Sequence, residues 1–367
     1  MFYSRKGTFT VESVTSGHPD KVCDQISDAI LDACLRDDPM SRVAVETFGS
    51  HGHLIIGGEV TTKAKVDYEK IARDLYQSIG YESPLDIKVV IREQSPDIAM
   101  GVDMGGAGDQ GIMYGFATNE TPEYLPIGVV LSHKLAEGLE TLRQSGKVKW
   151  LKPDGKTQVT FVNGKLRAVL ISCQHDAKVS QEEIRKTLVM KLVNPVVKKV
   201  TGRLPGKDLE ILVNPTGSFV LGGFEADTGL TGRKIMVDTY GGLAPHGGGA
   251  FSGKDLTKVD RSAAYMARFV AKNLVANGFA KECLVSVSYA IGKAEPLMIS
   301  AVDQNGKDLS GLVNGIFDFK PKSIIERLGL RSPIFGQTAA YGHFGKKNLP
   351  WEKIISLKKK KTGKRKK

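Results

Sequence analysis

Apolar residues recur over residues 19–36 at the three-and-four spacing of a helix. Val22, Ile26, Ala29, Ile30 and Ala33 fall on one stripe, and Asp24, Asp28 and Asp32 lie outside it. Pro19 stands in the first turn, where a missing N–H costs nothing. Residues 42–48, 53–62 and 88–93 instead alternate or are β-branched and predict strands, with a helix over 67–79 before the third. Val159-Thr160-Phe161-Val162, then Asn163-Gly164, then a β-rich run over 165–172 predict a hairpin closed by a two-residue turn. Further periodicity predicts helices over 126–145, 181–192 and 257–277, and strands over 209–213, 234–239, 283–291 and 296–302. Strands come in pairs with helices between them, an order that favours an α+β fold of mostly antiparallel sheets over a strictly alternating parallel one. Glycine-rich stretches at 101–111 and 217–232 are natural seams, or equally site loops.

Composition narrows this picture in three ways. At 367 residues, with 41% hydrophobic and 25% charged residues, the chain suits two or three ordinary domains and neither a disordered nor a fibrous protein. It has no apolar run of spanning length and no signal-peptide stretch at residues 1–10, which leads to the expectation of a cytoplasmic protein without membrane contact. Cys23, Cys34, Cys173 and Cys283 form no metal-ligand spacing and read as buried thiols. The net charge of +12 suggests nucleic acid until it is located: 358–361 and 364–367 carry eight positive charges, leaving +4 on the body. Such a run reads as a solvated, disordered tail; an RNA-binding alternative would need steeply salt-dependent binding lost with that tail.

Three clusters could carry chemistry. Ser16-Gly17-His18-Pro19-Asp20-Lys21 opens a helix whose N-terminus attracts anions, although Asp20 could equally be a plain first-turn acid. The run from His246 through Gly247-Gly248-Gly249-Ala250-Phe251-Ser252-Gly253-Lys254-Asp255 can turn its N–H groups inward as a phosphate cradle. It nearly matches a P-loop, but Asp255 stands where Ser or Thr should hold magnesium, which disfavours a Walker-type NTPase or kinase. Lys254 and Lys258 are one helical i to i+4 step apart, so both amines are expected to point at one anion. Asp260 is open between metal ligand, dipole partner and mate of a neighbouring base. Beyond the turn that holds Asp227 come Arg233 and Lys234, which on entering a strand would face opposite sides. Lys156, beside Pro153-Asp154-Gly155, reads by itself as an ordinary turn lysine.

Together these segments resemble the methionine adenosyltransferase (S-adenosylmethionine synthetase) family over nearly the whole chain. The resemblance is carried, in order, by Gly17-His18-Pro19-Asp20-Lys21, Gly57-Gly58-Glu59, Gln94-Ser95-Pro96-Asp97-Ile98, Gly106-Ala107-Gly108-Asp109-Gln110-Gly111 and Gly229-Leu230-Thr231-Gly232-Arg233-Lys234. Asp238-Thr239-Tyr240-Gly241-Gly242, the run from His246 to Asp255, Lys258-Val259-Asp260-Arg261-Ser262 and Ala340-Tyr341-Gly342-His343-Phe344 continue it.

The resemblance implies three interlocked, similar α+β domains, each a mixed or mostly antiparallel sheet with helices on one face. They would fall at 1–100 (with a mobile loop at about 94–106), 101–222 and 223–357, followed by the basic tail 358–367. It implies a homodimer or dimer of dimers with shared active sites, ATP and L-methionine as substrates, and two Mg2+ and K+ as cofactors. Methionine sulfur would attack C5′ of ATP, and the tripolyphosphate would then be hydrolysed to phosphate and pyrophosphate. His18 would stabilise charge on the leaving oxygen, and Lys156, Arg233, Lys234, Lys254 and Lys258 would neutralise the triphosphate. Asp20 and Asp260 would hold magnesium and Glu46 potassium. Glu59 and Gln94 would orient methionine, Asp109 and Asp227 methionine and the nucleoside, and Phe219 would pack on adenine near Ile291. Asp154, Ser218 and Ala250 would complete the substrate site. Met100, Ser218 and Pro245 depart from the family's pattern; Ser218 replaces a common arginine.

Overall fold

The computed structural model describes residues 7–94 and 106–357. The expected loop at about 94–106, with Met100, and the tail 358–367 fall almost wholly outside the described residues.

Three sheets, each backed by helices, make the fold. The first has the order β4-β3-β2-β9, from β2 (Arg42–Ser50), β3 (His53–Thr61), β4 (Asp86–Arg92) and the two-residue β9 (Gly229–Leu230). Helices α1 (Pro19–Asp37) and α2 (Tyr68–Ile79) cover it. The second has the order β1-β6-β7-β8, from β1 (Thr8–Val14), β6 (Leu151–Val162), β7 (Lys165–His175) and β8 (Glu210–Val213), under α3 (Ile127–Gln144). The third has the order β11-β10-β5, from β5 (Gly111–Thr118), β10 (Glu282–Tyr289) and β11 (Met298–Asp303). It packs on α7 (Val259–Ala276), which is buried almost all round. Antiparallel pairs dominate, with β3–β4 and β7–β8 parallel, so the architecture is α+β. Each sheet draws on distant parts of the chain: β1 pairs with β6, β2 with β9, and β5 with β10. The domains are interlocked as the family resemblance implies.

Local chemistry accounts for most boundaries. The Asp67 carboxylate accepts the Lys70 N–H at 3.0 Å and caps α2, which ends at Gly80. Asn163 and Gly164 both take positive φ (49° and 75°), the type I′ geometry that suits the twist of β6 and β7. Two expectations fail. The helix expected over 181–192 breaks after α4 (Gln181–Leu188) into a π turn (Val189–Val193), and α5 (Asn194–Thr201) follows. Pro195, in the first turn of α5, has no N–H for the usual i−4 bond, and the Asn194 N–H reaches back five residues to Val189. Residues 234–239, expected as a strand, instead form the short α6 (Ile235–Asp238). The Lys234 and Asp238 side chains are both drawn onto α1, and the Asp238 N–H closes a turn on the Lys234 carbonyl at 2.8 Å.

Helix α1 is also more buried than its stripe suggests. Val22, Ile26 and Ile30 enter the core as expected, with Cys23, Leu31 and Cys34, while Ala29 and Ala33 are half-buried. Asp24 and Asp28, outside the stripe, are buried completely. Asp20, Asp24, Asp28 and Asp32 form a second stripe at i+4 spacing. They accept the N–H groups of Leu230 (2.9 Å), Gly232 (2.8 Å), Gly253 (2.9 Å), and Phe335 and Gly336 (2.9 and 2.7 Å) in that order. Asp28 also takes a two-pronged ion pair from Arg261 at 2.6 and 2.8 Å, both side chains being fully buried. All four cysteines are buried and free. Among the described residues, no helix is long and apolar enough to cross a membrane.

Removing one partner of a buried, hydrogen-bonded ion pair typically costs about 3–5 kcal/mol. Asp28→Asn is therefore expected to lower the unfolding free energy by about that amount, read from urea midpoints, whereas exposed Lys70→Ala should leave the midpoint nearly unchanged.

Candidate active site

The residues before α1 form a tight turn clamped from several sides. Thr15 donates its N–H to the Gly155 carbonyl at 2.9 Å and its hydroxyl to the Pro153 carbonyl at 2.7 Å, which ties the turn to β6. His18 caps the helix: its Nδ1 accepts the Asp20 N–H at 3.2 Å. An Nδ1 that accepts leaves Nε2 as the N–H donor of a neutral ring. The ring's pKa is lowered to about 2, first by burial and then by the Lys234 and Lys156 ammonium groups. His18 is thus a neutral donor held among cations.

Beneath it, Asp20 gathers the cations. Its Oδ2 accepts from Lys234 Nζ at 2.5 Å, and its Oδ1 lies 3.6 Å from Arg233 Nε. The expectation that these neighbours face opposite sides is overturned, because the segment turns into α6 rather than running as a strand. Asp154, on β6 two residues from exposed Lys156, is buried. Its Oδ2 accepts the Gly223 N–H at 2.9 Å, and its backbone N–H donates to Gln174 Oε1. Burial raises its pKa to about 6, with Lys156 opposing and exposed Asp227 reinforcing the shift. His18, Asp20, Asp154, Lys156, Asp227, Arg233 and Lys234 therefore come from three distant stretches to one place.

Below this group lies a buried triad. Lys21 Nζ donates to Asp24 at 3.0 Å and closely to Asp238. Burial works against the Lys21 charge, but the two carboxylates outweigh it and raise its pKa. Burial pushes Asp24 up to about 7. Asp24 holds the Gly232 N–H and Lys21 holds Asp238, so both ends of the segment bearing Arg233 and Lys234 are pinned to one turn of α1.

A second group surrounds the glycine loop. Lys254 Nζ donates to Asp260 Oδ2 at 2.7 Å, so Asp260 is the mate of a neighbouring base. Lys258 pairs instead with Asp255, and it is the N-cap of α7, not a residue within it. The expected i to i+4 step is not realised, and the two amines go to different carboxylates. Asp255 accepts the N–H groups of Val43 and Thr257 at 2.7 and 2.9 Å, strapping the loop to β2 in place of the Walker hydroxyl. Gly253 (φ 77°) lies so near β2 that a Cβ would fall 1.8 Å from the Val45 carbonyl oxygen. Ala250 packs on Gly232, the residue before Arg233, and joins this loop to the first group. Among the described residues, no hydrogen bond or ion pair joins the two sets of charged side chains.

The remaining assigned residues are more scattered. Glu46, exposed, and Glu59, half-buried, share the outer face of β2 and β3, and half-buried Gln94 donates its N–H to Thr61 Oγ1 beyond β4. Asp109 and Ile291 are exposed on neighbouring loops tied by Ala107 N–H to Lys293 O (2.9 Å) and Gly292 N–H to Ala107 O (2.8 Å). Ser218 is exposed; half-buried Phe219 is held by His175, whose Nε2 accepts its N–H at 3.1 Å. His175, Gln174 and Tyr81, whose hydroxyl donates to the Gly17 carbonyl, were not legible as site residues, since nothing in their local runs marks them.

Asp20 and Asp260 suit magnesium in one particular way. Among the described residues, no group of three or more His, Cys, Asp or Glu could hold a metal ion by itself. Magnesium usually takes one or two carboxylates together with substrate phosphates, which is what each aspartate offers. Asp260 also lies under bare backbone, where a Cβ on Gly249 would come within 2.2 Å of its carboxylate. Glu46 belongs to no such group among the described residues, and a role with potassium would need oxygens from elsewhere.

The chain matches the S-adenosylmethionine synthetase N-terminal domain over residues 6–99, the central domain over 104–219 and the C-terminal domain over 221–353. It is 50% identical to the S-adenosylmethionine synthase of Mesoplasma florum, covering 95% of this chain and 98% of that protein. It is 48% identical to that of Petrotoga mobilis (96% and 98% covered) and 51% to that of Desulforudis audaxviator (95% and 96%).

Because the His18 pKa is depressed below its unfolded value of 6.5, this group's stabilising contribution is complete above pH 6.5 and is lost as pH falls toward about 2. The His18 ring proton resonances are therefore expected to show no titration between pH 5 and 8 by NMR; a midpoint within that range would contradict the neutral ring. With three domain matches in chain order and relatives near 50% identity over almost their full lengths, the chain belongs to the S-adenosylmethionine synthetase family.

Proposed function

We propose that this chain is a methionine adenosyltransferase that joins L-methionine to the adenosyl group of ATP and releases the triphosphate chain as phosphate and pyrophosphate. The observation that carries the reading is a neutral imidazole donor, His18, set beside Lys156 and Lys234 above a buried carboxylate. Methionine sulfur is already a nucleophile, so the protein need supply none. The requirement is in-line positioning and stabilisation of the departing oxygen. His18 Nε2–H supplies a donor that carries no proton-transfer penalty at neutral pH. Lys156, Arg233 and Lys234 neutralise one side of the triphosphate, and Lys254 and Lys258 the other.

Each of these cations but Lys156 already faces a carboxylate, and an arriving triphosphate takes over that partner role. Asp20 and Asp260, released from their lysines, would hold magnesium, which when bound cancels charge on the phosphate oxygens. Glu59 and Gln94 orient methionine, and Asp109, Asp154, Asp227, Ser218, Phe219, Ala250 and Ile291 line the nucleoside and amino-acid ends. A dimer with shared sites is supported by the apolar outer face of the β2–β3 pair, where Phe48 and Ile55 are about 40% exposed beside Glu46.

Incubation with ATP, L-methionine, Mg2+ and K+ is expected to yield S-adenosylmethionine, phosphate and pyrophosphate in equal amounts. ADP as the sole nucleotide product would overturn the reading. His18→Ala is expected to lower sulfonium formation by ~10²-fold or more, the scale of losing an oxyanion donor, while hydrolysis of added tripolyphosphate changes far less. Equal losses in both would remove His18 from the breaking bond.

A further inference from the structure

The run Ala340-Tyr341-Gly342-His343-Phe344 has no part in the chemistry above, yet it touches both halves of the first cationic group. The His343 N–H donates to the Asp238 carbonyl at 2.8 Å, below Arg233 and Lys234. The Tyr341 hydroxyl accepts the Ser16 N–H at 3.1 Å, two residues before His18, and donates closely to Glu140 Oε2. Glu140, on α3, accepts the Ser16 hydroxyl at 2.6 Å through its other oxygen. Ser16 is thus gripped at both its N–H and its hydroxyl, while Tyr81 donates to the next carbonyl, that of Gly17, at 2.5 Å.

The backbone pays attention to this contact. Tyr341 has φ 58°, a left-handed conformation uncommon for a residue with a Cβ and often found where function holds a side chain in place. Its neighbours enforce it: Lys346 Nζ donates to the carbonyls of Gln337 and Ala340 at 2.6 and 2.5 Å, and Gly342 lies against the His133 ring, where a Cβ would come 2.8 Å from Nε2. All this fixed structure ends in one hydroxyl on the turn that carries His18.

We propose that Tyr341 and Glu140 are positioning residues that set the height and angle of the His18 ring through the backbone of Ser16. The proposal rests on the reading of His18 as the donor to the leaving oxygen. A donor displaced by a fraction of an ångström loses transition-state stabilisation but not ground-state binding, so the effect falls on kcat and not on KM.

The test is a double-mutant cycle with Tyr341→Phe, which keeps the ring and its packing, alone and combined with His18→Ala. Tyr341→Phe is expected to lower kcat for S-adenosylmethionine formation by ~10-fold or more, with both KM values within ~3-fold and hydrolysis of added tripolyphosphate unchanged. In the His18→Ala background the same change should cost less than ~2-fold, because residues acting as one unit are not additive. An undiminished loss in both backgrounds, or no loss of kcat, would overturn the proposal. Glu140→Gln, which keeps an acceptor, should retain more kcat than Glu140→Ala, and this pair decides the matter should Tyr341→Phe not fold. A His18→Ala enzyme as active as the wild type would instead defeat the underlying reading of the site.

Discussion

Four aspartates along one face of α1 hold the molecule together where its segments meet. Asp20, Asp24, Asp28 and Asp32 each accept one or two backbone N–H groups from the last 140 or so residues, and the first three also meet or neighbour buried or half-buried cations. A carboxylate removed from water is tolerated only when its lone pairs are met by donors and its charge by a cation. Here the donors lie far along the chain, so satisfying α1 requires that the turn 230–232, the glycine loop and residues 335–336 be in place. The helix that backs the first sheet and the segments that build the site therefore share one set of contacts.

The same pairing prepares the site for an anion. Lysines and an arginine massed without compensation would repel one another. Each of Lys234, Lys254 and Lys258 instead rests on a carboxylate that is partly or wholly buried. On the proposed reading a polyanion would take the cations over, and the freed carboxylates would be available to a divalent metal. His18 is exempt from this exchange: burial and neighbouring positive charge keep its ring a neutral donor.

The interleaved sheets give this arrangement its rigidity. β1 precedes the His18 turn and pairs along its whole length with β6, which continues into Asp154 and Lys156. β9 leads into Arg233 and pairs with β2, which also receives the Val43 and Val45 contacts of the glycine loop. Site residues therefore sit at strand ends and turns backed by sheets, where small displacements are resisted by the packing of whole elements.

Much of the fold was legible in local pattern. Periodicity located α1, α2, α3 and α7 to within two residues, and Asn163-Gly164 located the β6–β7 turn, because these signals arise from propensities and contacts within a few residues. Motif order carried the family. What escaped includes elements that depend on partners, since β1, β5 and the two-residue β9 form by pairing with remote strands, and the short helices over 310–314 and 321–328. Residues 234–239 became helical because Lys234 and Asp238 were both claimed by α1. The positions of Arg233 and Lys234 were beyond local reasoning for the same reason, since both follow Asp20 on a distant helix, whereas Lys254 and Lys258 turn to carboxylates six and three residues away. The amino-acid sequence by itself determined the locally coded elements and which chemical groups are present. Only the tertiary structure decided which charges are buried together, because that depends on distance in space and loss of water, neither of which spacing along a chain encodes.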